Sequence, residues 1–253
     1  MVDIHSHILW GLDDGERSFE QSVAMVRMAA AHGTSDIVAT PHANLEYKFQ
    51  PELNRKKIAQ LARAAGALPR IHYGCDFHFY PAHVDLAVLH PERFTIDGKR
   101  YLLIEFSDLL IFKETAALLT RLRAAGITPI LTHPERNYLL HTRIEELSQW
   151  VRSGLLMQVT AQSLLGRFGP VIRKFSEELL RRGMVHFVSS DAHDCDDRPP
   201  RLDLAHQVVL KNFGAPLAEA LFEINPGAVL AGVPLPPLPT PAPTRKWYHF
   251  GVR

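Results

Sequence analysis

The sequence predicts an α/β fold, a closed TIM-like (β/α)7 barrel of seven parallel strands, and three observations predict it. Short apolar runs rich in β-branched or aromatic residues alternate with helical stretches of ten or more residues, the βαβ signature of a parallel sheet. Several helical stretches end at a glycine where a C-terminal cap is expected (Gly33, Gly66, Gly126, Gly154 and Gly183), and a strand follows each within a few residues. The repeat fills about residues 1–232 of the 253, enough chain for one large barrel.

In order, the strands are expected at VDIHSH (2–7), DIVATPH (36–42), RIHYGCDF (70–77), YLLIEFS (101–107), ITPILTH (127–133), LLMQVTA (155–161) and HFVSSDAH (186–193). Helices are expected between them at about 18–32, 51–65, 114–125, 142–153 and 170–182, with a closing pair near 202–212 and 215–223. Residues 233–253 differ in kind. Five prolines between 234 and 241 forbid a helix there, so an extended, polyproline-like tail is expected, ending in the basic and aromatic cluster RKWYHFGVR. Such a short end reads more readily as a flexible terminus than as a binding segment.

Composition narrows the function. Lys and Arg number 28 against 27 Asp and Glu, so no basic field favours nucleic acid or an anionic membrane. Two cysteines, Cys75 and Cys195, are too few for a disulfide framework. No basic and apolar leader opens the chain, and no run is apolar enough to span a bilayer, so a cytoplasmic protein is expected. The oddity is the 14 histidines, several of which fall at strand ends.

In a barrel of this kind the active site forms at the C-terminal ends of the strands. Strand one ends in His5 and His7, strand two in His42, and strand three in Asp76 with His78 beyond it. Strand four offers Glu105, strand five His133, and strand seven Asp191 and His193. Residues two apart on a strand point to the same side, so His5 and His7 can share a site, as can Asp191 and His193. A lone strand-end histidine is more often a satisfied structural residue; a His or carboxylate at the same end of six strands argues against that reading. Imidazole and carboxylate without thiolate suit zinc, manganese or iron. More than four ligands imply more than one ion, and paired ions can hold a hydroxide nucleophile and stabilise both attacking and leaving oxygens. Arg136 follows His133 by three residues and Arg198 follows His193 by five. Guanidinium groups fork onto phosphate oxygens; the alternative is an ordinary surface arginine paired with Glu135 or Asp197.

The segments DIHSHILWGLDDG, ATPH, YGCDFHFY, LIEFS, THPER and SSDAHDCDDRPP, in this order and spacing, resemble the PHP (polymerase and histidinol phosphatase) superfamily. Within it they are most similar to the bacterial tyrosine-protein phosphatases encoded beside capsule and exopolysaccharide genes. The resemblance covers about residues 1–231 and implies a distorted seven-stranded barrel carrying a trinuclear centre, usually manganese-activated. The implied activity is removal of phosphate from tyrosine on a cognate kinase. Carried over by motif, His5, His7, Asp76 and Asp191 would hold one ion, Asp76, Glu105 and His133 a second, and Asp14, His42 and His193 a third. Asp14 is taken over Asp13 from the motif alone. Arg136 and Arg198 match the phosphate-holding arginines. One departure is Asp76, where the family typically has a glutamate one methylene longer; His78 would then serve as an extra ligand or line the pocket.

The expected chemistry is in-line attack by hydroxide on phosphorus without a covalent intermediate. A phenolate leaving group, with a pKa of about 10, needs little acid help, so no general acid is assigned. A thiolate route meets a formal C-x5-R at Cys195 and Arg201, but that loop is acidic and lacks the glycines that let backbone N–H groups wrap a phosphate. Three alternatives are a histidinol-phosphatase-like small-molecule enzyme, an amidohydrolase, and a catalytically impaired metal-binding module. Amidohydrolases generally carry a lysine on the fourth strand, where this chain has Glu105. Phe77, Phe79 and Tyr80 either form a rim for a phenyl ring or pack under a loop.

Overall fold

The computed structural model describes residues 1–240; the basic and aromatic cluster expected at the end of the tail lies outside the described residues. Along the chain run β1 (Val2–Ser6), α1 (Phe19–Ala31), β2 (Asp36–Ala39), β3 (His42–Ala43), α2 (Pro51–Ala65), β4 (Arg70–Tyr73) and β5 (Asp76–His78). There follow α3 (Pro81–Leu89), α4 (Pro91–Phe94), β6 (Tyr101–Glu105), α5 (Thr115–Ala124), β7 (Thr128–Thr132), α6 (Tyr138–His141), α7 (Ile144–Arg152) and β8 (Leu156–Thr160). The last elements are α8 (Ala161–Leu164), α9 (Pro170–Arg181), β9 (Phe187–Ser189), α10 (Asp203–Phe213), α11 (Ala215–Glu219) and α12 (Asn225–Ala231).

Every strand pairing is parallel, in two sheets ordered β1-β2-β4 and β3-β5-β6-β7-β8-β9. Each expected strand run contains a strand, but the second and third runs break in two. Pro41, which has no N–H to donate, sits in the first break. Backbone bonds still cross it: Thr40 N–H donates to Ser6 O at 2.8 Å, Gly74 N–H to Ala39 O at 3.0 Å and Asp76 N–H to Pro41 O at 3.2 Å. On the other edge of β1, Asp191 N–H donates to His5 O at 2.9 Å and His7 N–H to Ala192 O at 2.8 Å, so β1 also meets the segment beyond β9.

Alternation along the strands builds the core. Leu103 of β6 packs with Ile4, Val38, Ile130 and Phe187 in one buried cluster. Its neighbours Leu102 and Ile104 face the other way, under Leu118, Leu122, Leu147, Trp150, Leu179 and Phe213 of the helices. The five capping glycines all take positive φ, the conformation that ends a helix without a Cβ clash. The expected last helix instead runs on to Ala231 through a π-helical segment, Ala220–Ile224. Pro226 explains the widening, because its ring cannot fit against the carbonyl four residues back. The described part of the proline-rich arm lies against the body: Leu235 and Leu238 pack on the core, and the Tyr101 hydroxyl donates to Val233 O at 2.5 Å.

Candidate metal centre

The C-terminal ends of the strands converge on one cluster. His5 and His7 of β1 and the loop after it are buried, with Nε2 atoms 3.2 Å apart. His5 Nε2 lies 3.6 Å from Asp76 Oδ2 and 3.5 Å from Asp191 Oδ1, and His7 Nε2 lies 3.6 Å from the same Asp191 oxygen. His42 Nε2 and His193 Nε2 approach Asp14 Oδ1 at 3.3 and 3.4 Å. His42 Nδ1 stands 3.4 Å from Asp76 Oδ2 and 3.6 Å from Glu105 Oε2, while His133 Nε2 is 3.5 Å from Glu105 Oε1.

These separations are longer than good hydrogen bonds. Ligand atoms about 2.1 Å from a shared ion stand roughly 3.0–3.4 Å from one another, against about 2.8–3.0 Å for a direct hydrogen bond. His42 Nδ1 and Asp76 Oδ2 are buried without a hydrogen-bond partner, a costly arrangement unless something else satisfies them. The facing Nε2 atoms of His5 and His7 gain little from each other, whereas a cation between them would satisfy both lone pairs. The donor set therefore fits divalent ions.

The four ligand groups in the structure overlap: His7, Asp14, His42 and His193; His5, His7 and Asp76; His5, His133 and Asp191; and His42, Asp76 and Glu105. The set expected to hold the third ion is brought together, with His7 joining it. Of the expected second set, Glu105 lies beside His133, and Asp76 lies nearest His42 and His5.

Orientation of the imidazoles comes from Gln158 and Asp13, neither of them among the expected ligands, and from the backbone of Asp191. Gln158 Oε1 accepts from His5 Nδ1 at 2.9 Å, Asp13 Oδ2 from His7 Nδ1 at 2.8 Å, and the Asp191 carbonyl from His193 Nδ1 at 2.9 Å. With the proton held on Nδ1, each Nε2 presents its lone pair to the cluster. Asp13 also accepts from the backbone N–H of His42 at 3.0 Å and of Gly15 at 3.0 Å. The two neighbouring aspartates thus divide the work: Asp14 points into the cluster and Asp13 braces its loop. Gly15 is required there because a Cβ would fall 2.4 Å from His7 O.

Two site residues hold the left-handed backbone conformation, His133 at φ 32° and Asp191 at φ 51°. This costs roughly 1–3 kcal/mol apiece, and neighbouring elements over-determine it: Asp191 N–H is fixed by β1 and His133 O by Arg136 N–H at 2.9 Å. Buried Glu135 anchors the same turn, accepting from Thr160 N–H at 2.9 Å and Ser163 Oγ at 2.7 Å. Burial outweighs those bonds and pushes the Glu135 carboxyl up to about 7.

Electrostatics divide the imidazoles. Burial and the proximity of His193 bring His7 down to about 4, and burial with Arg136 holds His133 well below the ordinary imidazole range. Both are neutral donors at pH 7. Burial would also lower His42, but Asp14, Asp76 and Glu105 outweigh it and push the ring up to about 12. The carboxylates demand a positive charge at that point, as a cation site does.

Arg136 Nη1 and Arg198 Nη2, the latter at 2.5 Å, both ion-pair with Asp191 Oδ2. Neither takes Glu135 or Asp197 as its main partner. Arg136 also stacks over Phe168, 4.8 Å from the ring centre, and Arg198 Nε is buried without a partner. Each guanidinium keeps further N–H groups for an anion at the cluster.

Other expected participants lie elsewhere. His78 Nδ1 is 3.8 Å from Glu105 Oε2 at the rim. Phe77 and Phe79 are buried in the core, leaving Tyr80 alone of that trio on a surface groove. Arg201 is engaged with Asp203 at 2.7 Å, and burial with acidic neighbours pushes the Cys195 thiol up, so the C-x5-R match is no thiolate site. No helix among the described residues is long and apolar enough to cross a membrane.

Residues 1–231 match the family model described as capsular polysaccharide synthesis, CpsB/CapC. CapC of Staphylococcus aureus is 35% identical over 205 residues, 79% of each chain. The tyrosine-protein phosphatase YwqE of Bacillus subtilis is 32% identical over 231 residues, 88% of this chain and 89% of its own. A crystal structure from work on YwqE and on CpsB of Streptococcus pneumoniae, described as unique metal-dependent tyrosine phosphatases, superposes with a TM-score of 0.88 at 31% identity. It covers 97% of this chain and 100% of that one. With the strand-end histidines, carboxylates and arginines falling within the matched span, this chain belongs to the CpsB/CapC family of capsular polysaccharide synthesis proteins.

Proposed function

We propose that this chain is a metal-dependent tyrosine-protein phosphatase whose substrate is a phosphotyrosine protein, a bacterial tyrosine kinase controlling capsule or exopolysaccharide synthesis. The observation that carries it is the cluster of imidazole nitrogens and carboxylate oxygens spaced 3.2–3.6 Å apart at the strand ends. On this reading His5, His7, Asp76 and Asp191 hold one ion, Asp76, Glu105 and His133 a second, and Asp14, His42 and His193 a third, manganese being the physiological metal. Bound ions supply an activated water and neutralise phosphate charge.

The chain's own groups do the rest. Arg136 and Arg198 orient the phosphate and stabilise its equatorial oxygens. Asp13 and Gln158 hold His7 and His5 in the ligating tautomer. The phenolate leaves without a dedicated general acid. The two sheets are read as one distorted barrel of seven strand runs over residues 1–232, supported by the bridge from Ser6 to Ala192, with 233–253 as an appended tail. The free cysteines Cys75 and Cys195 support a cytoplasmic setting.

Phosphate release by the manganese-loaded protein from a phosphotyrosine peptide and from histidinol phosphate tests the proposal. Metal-dependent preference for the peptide, lost by at least about a thousandfold in a His5→Ala, His7→Ala variant, is expected. Preference for histidinol phosphate moves the chain to the small-molecule branch, and release from neither leaves a metal-binding module.

A further inference from the structure

Three loops leave the cluster on one side and enclose a groove of about 460 Å³. Leu45 stands three residues beyond His42; Tyr80 follows His78 by two; Ser107, Leu110 and Phe112 follow Glu105. His78 belongs to both places, lining the groove while its Nδ1 lies 3.8 Å from Glu105. Leu45 is 89% exposed and Leu110 48%. Large apolar side chains held out in solvent beside a charged cluster mark a binding surface more often than a solvated one. Tyr47, on the same loop as Leu45, lies nearly parallel to the His42 ring at 5.9 Å, tying that loop to the cluster.

Polarity runs across the site in one direction. Arg136 and Arg198 come from the segments after β7 and β9, whereas the groove comes from those after β3, β5 and β6. A ligand spanning the centre meets guanidinium groups at one end and apolar surface at the other. A phosphate ester of an aromatic alcohol has that polarity, with a dianion at one end and a flat apolar ring at the other; a short alkyl or sugar phosphate has no group for the apolar end.

We propose that the groove formed by Leu45, His78, Tyr80, Ser107, Leu110 and Phe112 seats the aryl group of the substrate and selects aromatic phosphate esters. This depends on the phosphatase reading above and names the residues that set its substrate preference. The groove contributes by removing ring surface from water, and because it contacts the leaving group it acts on binding without any proton transfer.

Calorimetric titration of the manganese-loaded protein with two non-hydrolysable probes, benzylphosphonate and methylphosphonate, tests this. The wild type is expected to bind benzylphosphonate at least about tenfold more tightly. A Leu45→Ser, Leu110→Ser variant, altered only at exposed positions, is expected to shrink that ratio to under about threefold, with Tyr80→Ala doing the same through a different loop. Equal affinity of the wild type for both probes, or a ratio unmoved by both variants, overturns the assignment. If the ratio behaves as expected but no phosphotyrosine peptide is hydrolysed, the groove is an aryl-binding surface and the phosphatase reading falls, taking the groove's role in substrate choice with it. If the peptide is hydrolysed and the ratio does not move, the reverse holds.

Discussion

The protein has two clusters of histidine and carboxylate, one on the early part of the second and third strand runs and one at the finishing ends of six runs, built from the same residue types with opposite outcomes. At the starting ends of β2 and β4, His72 Nε2 lies 2.9 Å from Asp36 Oδ1 and its Nδ1 2.9 Å from Asp97 Oδ2, while Arg70 forks onto Asp36 at 2.7 and 2.9 Å. Both ring nitrogens of His72 and two guanidinium nitrogens of Arg70 meet carboxylate oxygens there at ordinary hydrogen-bond distance. At the finishing ends the corresponding contacts are 3.2–3.6 Å, and buried His42 Nδ1 and Asp76 Oδ2 have no partner. The difference teaches that residue type does not identify a metal site. Spacing and hydrogen-bond satisfaction are more telling: one cluster is paired within itself, while the other leaves buried donor atoms spaced as a cation would need them.

One matched pair of substitutions gives the sharpest break. Asp76→Asn is expected to lower metal-dependent phosphate release by about a thousandfold. Asp36→Asn removes a buried carboxylate that accepts from Arg70, His72 and Ser35 and is expected to leave release within about twofold while costing about 1–3 kcal/mol of stability. Parallel activity assays and denaturant melts decide it; equal activity losses would erase the distinction. Next in size is the metal itself. Manganese at a hundred times its Kd is expected to raise unfolding stability by about 2.7 kcal/mol, measured by melts with and without chelator, and to do so equally in Asp36→Asn.

Asp13→Asn keeps the shape of the brace but weakens its hold on His7, and is expected to cost about 10–100-fold in manganese affinity by titration. Gly15→Ala, whose Cβ would meet His7 O, is expected to destabilise by about 1–3 kcal/mol in a denaturant melt. The smallest effect belongs to His72. Its hydrogen bonds to Asp97 and Asp36 outweigh burial and raise its folded pKa above the ordinary 6.5. The stabilisation is therefore full below about pH 6.5 and is lost as pH rises through the folded value. Wild-type stability should fall over that range relative to His72→Gln; identical pH profiles would show that the starting-end cluster contributes no proton linkage.

Much of the site was legible because β/α periodicity carries strand ends with it. Once the strand runs were drawn, His5, His7, His42, Asp76, Glu105, His133, Asp191 and His193 fell at one end of them, and the structure gathers these residues with Asp14. Less legible were residues whose role depends on what faces them. Gln158 lies inside a strand with no motif, and its contact with His5 spans 153 positions. Glu135 sits in THPER as if it were a partner for Arg136, yet it turns inward to Thr160 and Ser163. Phe77 and Phe79 read as plausible rim aromatics, but strand β5 and the turn after it bury both.

By itself the sequence determined the alternation of strands and helices, the glycine stops, the near-neutral charge and the inventory of imidazoles and carboxylates at the strand ends, because these follow from local pattern and composition. The motif named Asp14 over Asp13, but only the tertiary structure supplies the reason, a loop packed against His7 that turns Asp14 into the cluster and Asp13 onto the His7 ring. The tertiary structure alone set the partners of Asp76, which follow from side-chain reach across neighbouring strands, and made Asp191 the meeting point of both arginines. Local pattern places a residue at a strand end; only the packing of distant segments fixes the ångströms between its atoms and their partners, and those ångströms separate a hydrogen-bonded cluster from one whose donor spacing fits a cation.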